Sequence, residues 1–172
     1  YIVPFPPAGS PDIIARLLTE RLSRTWGQQV VVDNRAGAGT TIGIDMVAKS
    51  APDGHTLLVS PSTLALNTWM YAKLPYDALR DLAPITQVAS VPNALVVHPS
   101  LPARTIRDFI TLAKQQPGAI NVGSAGIGTS PHLSLELFKH LAGIDITRIP
   151  YKGGAANMVA LLGNEVQLSF ST

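Results

Sequence analysis

The sequence predicts an α/β fold, and three observations carry that prediction. Apolar runs of strand length alternate with helix-spaced patterns from one end to the other. Hydrophobic residues make up 46% of the 172 and charged residues 14%, so the chain can build a core and does not have a disordered composition. Glycine- and proline-rich turns separate the runs, as the βα connections of a largely parallel sheet do.

Tyr1–Pro4 reads as a strand, and "PFPPAGSPD" at 4–12 as a stiff turn into a helix. That helix, Asp12–Trp26, carries Ile13, Ile14, Leu17, Leu18, Leu22 and Trp26 at helical spacing and stops at Gly27. Val30–Asp33 is a short β-branched strand, "NRAGAGTT" a glycine loop and Ile42–Ser50 a short helix. "APDGHT" is a turn, Leu57–Ser60 a strand, and "PSTLALNTWMYAKL" a loop running into a helix. Ala83–Val91 is a long β-rich run, followed directly by another at Ala94–His98. Next comes a helix with Thr105 as N-cap and Asp108 in the capping-box position, ended by Pro117-Gly118. "INVGSAG" is a strand running into glycines, and Ser130–Leu141 a helix. Ile146–Pro150 is a strand, Ala155–Leu162 a helix and Val166–Ser171 a strand. Two consecutive strands around the proline of "SVPNALVVHPS" break the alternation. That places a first α/β lobe at 1–90, a hinge or crossover at 91–98 and a second lobe at 99–172.

The net charge of +2 is small and dispersed, aromatics are 6%, and there is no run of Lys and Arg. Nucleic acid is therefore not an expected partner. With no cysteine, disulfides and thiolate metal sites are excluded. No apolar run approaches the roughly 18 residues of a membrane span. The chain starts at Tyr1 within an apolar segment and stops at "VQLSFST", which reads as a strand end. The expectation is a piece of a longer chain, with any signal peptide lying upstream of the residues given.

In open α/β sheets, ligands bind beyond the carboxyl ends of the strands. Three loops leave such ends for helices: "PFPPAGSPD", "SPSTLALN" and "GSAGIGTSPHL". The first offers N–H groups at Ala8, Gly9 and Ser10 and the Ser10 hydroxyl. The second offers Ser60, Ser62, Thr63 and Asn67. The third offers N–H groups from Gly126 through Gly128 to Ser130 and the hydroxyls of Thr129 and Ser130. Amides at a helix N-terminus suit an anion such as a carboxylate, and prolines beside them lower the ordering cost of binding. Each loop taken singly also reads as a tight turn, with Asp12 capping its own helix.

Other chemistries fit less well. Gly123-x-x-Gly126-x-Gly128 follows a strand and opens a helix, so a nucleotide-dependent enzyme using Gly123–Gly128 is an alternative. Its ribose-holding acid is missing, because Asp145 begins the next strand instead of ending it. His132, Glu136 and His140 share one helix face without a zinc-protease pattern, so no metal is expected. No Gly-x-Ser-x-Gly elbow, cysteine nucleophile or carboxylate pair is present, and no cofactor is expected. The residues describe binding without catalysis.

Taken together, "VPFPPAGSPDIIARLLTERL" at 3–22, "GQQVVVDNRAGAGTTIG" at 27–43, "APDGHTLLVS" at 51–60 and "LPYDALRDLAPIT" at 74–86 carry a resemblance. It continues through "PSLPARTIRDFITLAKQQPGAINVGSAGIGTSPHLSLELF" at 99–138 and "IPYKGGAANMVALLGNEVQLSFS" at 149–171. The chain resembles the Bug (TctC-like) family, the periplasmic receptors of tripartite tricarboxylate transporters. The resemblance implies a two-lobed type II periplasmic-binding-protein fold, a Venus flytrap, incomplete here at its C-terminus. It implies a non-enzymatic receptor that captures a small carboxylate (an amino acid, a di- or tricarboxylate, or an aromatic acid) in the cleft between lobes. Delivery would be to membrane transporter subunits, with a sensor role as the alternative. Carried over, ligand contacts fall at Phe5, Ala8, Gly9, Ser10, Gly126, Gly128, Thr129 and Ser130, with His132 nearby, and less firmly at Ser62, Asn67 and Thr172. Two departures stand out: the family's "FPPGG" is "FPPAG" here, and an aspartate common after the last strand is replaced by Ser171-Thr172.

Overall fold

The computed structural model describes residues 1–172, which divide into two compact units, Tyr1–Ser90 and Val91–Thr172. The first unit is built on β1 (Ile2–Val3), which pairs in parallel with β2 (Asp33–Asn34) and bridges Leu58 in parallel on its other side. Helix α1 (Ser10–Trp26) follows β1, α2 (Thr41–Ala48) follows β2 after a single 3-10 turn at Ala38–Thr40, and α3 (Thr63–Met70) follows the Leu58 bridge. Three βα loops thus leave three adjacent parallel segments at their carboxyl ends.

The second unit holds a four-stranded sheet in the order β3-β6-β4-β5: β3 (Ala94–Val97), β6 (Leu168–Ser171), β4 (Asn121–Ser124) and β5 (Thr147–Pro150). β4 runs parallel to β5 and β6, while β3 is antiparallel to β6. Helices α4 (Ile106–Gln115), α5 (Ser130–Ala142) and α6 (Gly154–Leu162) make the connections. The core gathers Phe109, Ala113, Ile120, Val122, Leu135, Ile144, Ile146 and Leu168. Phe138 stacks on Phe109 with ring centroids 6.0 Å apart and meets Phe170 edge-on at 5.9 Å. Thr105 caps α4 through the reciprocal box expected with Asp108.

Three elements depart from the sequence expectation. Residues 83–92 form no strand and are exposed, because no segment offers this β-rich run a ladder. The second strand pairs at Asp33–Asn34 instead of along Val30–Asp33, since its bonds to β1 run from Asp33 N–H to Tyr1 O and from Arg35 N–H to Val3 O. Helix α1 turns Asp12, Ala15 and Thr19 inward and leaves Ile13 and Leu17 exposed. The inward stripe is set by Asp12, which three donors draw into the interior.

Candidate functional site

In the first unit, the loop after β1 is fixed by one buried carboxylate. Asp12 Oδ2 accepts the Ala8 N–H at 2.9 Å and Arg16 Nε at 2.9 Å, and its Oδ1 accepts Asn34 Nδ2 at 2.9 Å. Asn34 Nδ2 also donates to the Phe5 carbonyl at 3.0 Å, and Arg16 Nη2 donates to Asn34 Oδ1. Burial pushes the Asp12 carboxyl up, but these hydrogen bonds and the Arg16 charge outweigh it and hold it below its ordinary 3.8. The N-cap of α1 is Gly9, with no side-chain cap. Asp12 therefore reaches back past the cap instead of capping the helix itself. The Ala8 amide, expected as a free donor, is committed to Asp12. The Gly9 amide has no partner within the chain, and Ser10 opens the helix.

Ala8 adopts φ 65°, a left-handed backbone that costs an L-residue about 1 kcal/mol or more. Ala8→Gly is expected to stabilise the first unit by about 0.5 kcal/mol, the relief of strain exceeding the added chain entropy. Thermal unfolding followed at Trp26 checks this, and a lower midpoint would contradict it.

The other loops of this unit meet in a buried polar knot. Asn67, fully buried on α3, donates to Gly39 O at 3.0 Å, Thr40 Oγ1 at 3.3 Å and Tyr76 Oη at 3.3 Å. Thr40 Oγ1 bonds Thr63 Oγ1 at 3.2 Å. The knot clamps a turn whose Ala38, Gly39 and Thr40 all have positive φ. Asn67 faces inward and holds this turn, while Ser62 lies exposed at the start of α3 without capping it.

In the second unit, β4 ends in "GSAGIGTS" and α5 begins at Ser130. Thr129 is the N-cap: its Oγ1 accepts the His132 N–H and donates to Gly126 O at 2.9 Å. The Gly128 N–H donates to His132 Nδ1 at 3.1 Å. Ser130 Oγ donates to Asn93 Oδ1 at 3.3 Å, and Asn93 Nδ2 donates to Ser134 Oγ at 2.8 Å. Of the groups expected here, the Thr129 hydroxyl and the Gly128 amide are spent on the loop itself. The amides of Gly126, Ile127, Thr129 and Ser130 have no partner within the chain and stand at the positive end of a 13-residue helix. Thr172 directly follows β6.

Glu136 stands 3.9 Å from His132 Nε2 and 3.8 Å from Lys139 Nζ, and no three His, Cys, Asp or Glu side chains converge on a metal position. No helix is long and apolar enough to cross a membrane. Asn34, Asn93 and Asn157 are organising residues that sequence reasoning missed. For Asn34 a signal exists: a polar pair, Asp33-Asn34, closes the apolar run that feeds the strand beside β1.

A family model described as the tripartite tricarboxylate transporter family receptor matches residues 14–172. The chain belongs to that family. Among curated relatives of this chain, Protein BugT of Bordetella pertussis is 45% identical over 167 residues, which is 96% of this chain and 51% of BugT. A UPF0065 protein of Pseudomonas sp. strain P51 is 39% identical over 98% of this chain and 50% of its own length. The chain thus spans about half the length of the curated relatives it matches. Among solved structures, R. palustris Rpa4515 with adipate aligns over 99% of this chain and 57% of its own, with TM-score 0.95 and 39% identity. MatC of Rhodopseudomonas palustris with bound malate aligns over 99% and 58%, with TM-score 0.87 and 30% identity. The periplasmic binding protein BugD aligns with TM-score 0.87 and 30% identity over 99% of this chain and 57% of BugD. The chain shares the α/β fold of these solved structures.

Proposed function

We propose that this chain is part of a periplasmic receptor that captures a small carboxylate and delivers it to the membrane subunits of a tripartite tricarboxylate transporter. The observation that carries the reading is the set of unpartnered amides of Gly126, Ile127, Thr129 and Ser130 at the N-terminus of α5. A carboxylate offers these N–H groups the acceptors they lack, and the helix dipole favours its charge. Adipate and malate in matched structures support the ligand class. The first unit has a loop of the same kind after β1, where the Gly9 amide has no partner within the chain.

The test is calorimetric titration of the intact protein with adipate, malate and a panel of mono- and tricarboxylates, with NAD and ATP as controls. Saturable binding of a carboxylate and none of nucleotide is expected. At about a hundredfold excess over Kd, the ligand raises stability by about 2.7 kcal/mol. Binding of no carboxylate, or of nucleotide alone, overturns the reading.

Ser130→Pro compared with Ser130→Ala isolates the amide, because both variants lose the Ser130 Oγ bond to Asn93. Ser130 is the first residue of α5, where proline is tolerated because that N–H has no helical partner. Relative to Ser130→Ala, the ligand-free midpoint of Ser130→Pro should barely move, while carboxylate affinity falls about tenfold, the value of one charge-assisted hydrogen bond. Unchanged affinity would remove Ser130 N–H from the site.

A further inference from the structure

The loop that carries the proposed carboxylate amides is tied down by the helix it precedes. His132 serves it twice: its backbone N–H reaches Thr129 Oγ1, and its ring Nδ1 accepts the Gly128 N–H at 3.1 Å. A backbone N–H can only donate, so Nδ1 presents a lone pair and the ring hydrogen resides on Nε2. The His132 side chain is only 12% exposed, and Gly126 and Gly128 hold positive φ of 123° and 78° on either side of the bonded peptide.

We propose that His132 is a positioning residue and not a ligand contact: its neutral ring holds the Gly128 amide and so aims the amides of Thr129 and Ser130, and protonation of Nδ1 releases the loop and its carboxylate. This rests on the reading of the loop as the carboxylate site. Once Nδ1 carries a proton, two donors face each other where one bond stood. Gly128 must then turn away, and its neighbours lose their alignment.

The charged groups facing the ring are Glu136 and Lys139 from α5 and Arg148 from β5. Burial, Arg148 and Lys139 oppose a positive ring and Glu136 favours one, leaving His132 below its ordinary 6.5. The clamp is therefore intact at neutral pH and opens in acid. The sign separates the two roles. An imidazolium touching the ligand would bind a carboxylate more tightly as pH falls, whereas a positioning imidazole loses it.

The experiment compares the intact wild-type protein with His132→Asn and His132→Gln, titrated with adipate from about pH 8 down to about pH 5. The Asn Oδ1 replaces Nδ1 as acceptor and does not titrate, while Gln reaches toward the Nε2 position and leaves Gly128 without a partner. At the upper pH, His132→Asn should bind within about threefold of wild type and His132→Gln about tenfold more weakly. Toward acid, wild type should lose about fivefold or more relative to His132→Asn, whose own slope reports protonation of adipate itself. A wild-type affinity that rises in acid relative to His132→Asn, or Asn and Gln variants that bind alike, overturns the proposal.

A ligand-free readout separates it from the functional reading. The Gly128 amide resonance should shift with the ring's titration in wild type and stay fixed in His132→Asn. If it shifts while no carboxylate binds, the clamp stands and the ligand class is wrong. If it ignores the titration, the clamp falls whatever binds.

Discussion

Gly123→Ala is expected to cost the second unit about 3 kcal/mol or more. Gly123 lies in β4, the strand paired on both sides, opposite Ile149 of β5 and Ser169 of β6. A methyl group there would run into Asn157 Oδ1 and press on Asn157 Cγ and Val166 Cγ2, each at 3.1 Å. Asn157 cannot swing aside cheaply, because it is fully buried and its Nδ2 donates to Ser169 Oγ at 2.6 Å. Either the strand moves and two ladders suffer, or the Asn157–Ser169 bond breaks inside the core. Denaturant unfolding read by hydrogen exchange at β4 and β6 would show the loss. The double variant Gly123→Ala with Asn157→Ala should recover part of it, because the colliding amide is gone. A single variant as stable as wild type would mean that the α6–β4 contact is looser than the structure shows.

Asp12→Ala is expected to cost the first unit about 2–3 kcal/mol. It removes the acceptor for Ala8 N–H, Arg16 Nε and Asn34 Nδ2 at once. Arg16 stays half exposed and can turn to water, which keeps the loss below that of a stranded buried charge. The effect should depend on pH. The folded-state value of Asp12 lies below the ordinary 3.8, so its contribution is complete above that pH and fades as pH falls through the folded value. Wild-type and Asp12→Ala stabilities, followed at Trp26 and Trp69 of the first unit, should therefore converge below about pH 4. A difference that persists into strong acid would assign the loss to shape and not to charge.

Much of the architecture is legible in the sequence because it is local. The Thr105–Asp108 box, the glycine that stops α1 and the alternation of runs and helices all follow from residues within one turn of each other. Residues 83–92 show the limit: β-propensity marks an extended chain, but only a partner makes it a strand. The loops of the candidate site are legible too, as Gly, Ser and Pro at strand-to-helix junctions. Which of their donors are available is not. Ala8 and Gly128 look alike as exposed loop amides, yet each is taken by a side chain four residues on, Asp12 and His132. That choice depends on how a side chain folds back over its own turn, which composition does not record. The stripe of α1 was masked for a related reason: the apolar spacing of Ile13 and Leu17 is plain, but a carboxylate with three donors outweighs it for the inward position.

The order of the second sheet bears on how the chain reaches its fold during synthesis. β6, the last of the four strands in sequence, lies between β3, the first of them, and β4. Until Leu168–Ser171 leave the ribosome, β3 has no neighbour and one edge of β4 stands open. The helices α4, α5 and α6 can form as they emerge, but the sheet that orders them closes last and around a long loop, which slows the search. The nascent unit is thus a set of helices waiting for a central strand. A chaperone that prefers extended apolar segments would have the interval between the synthesis of β3 and that of β6 in which to engage it.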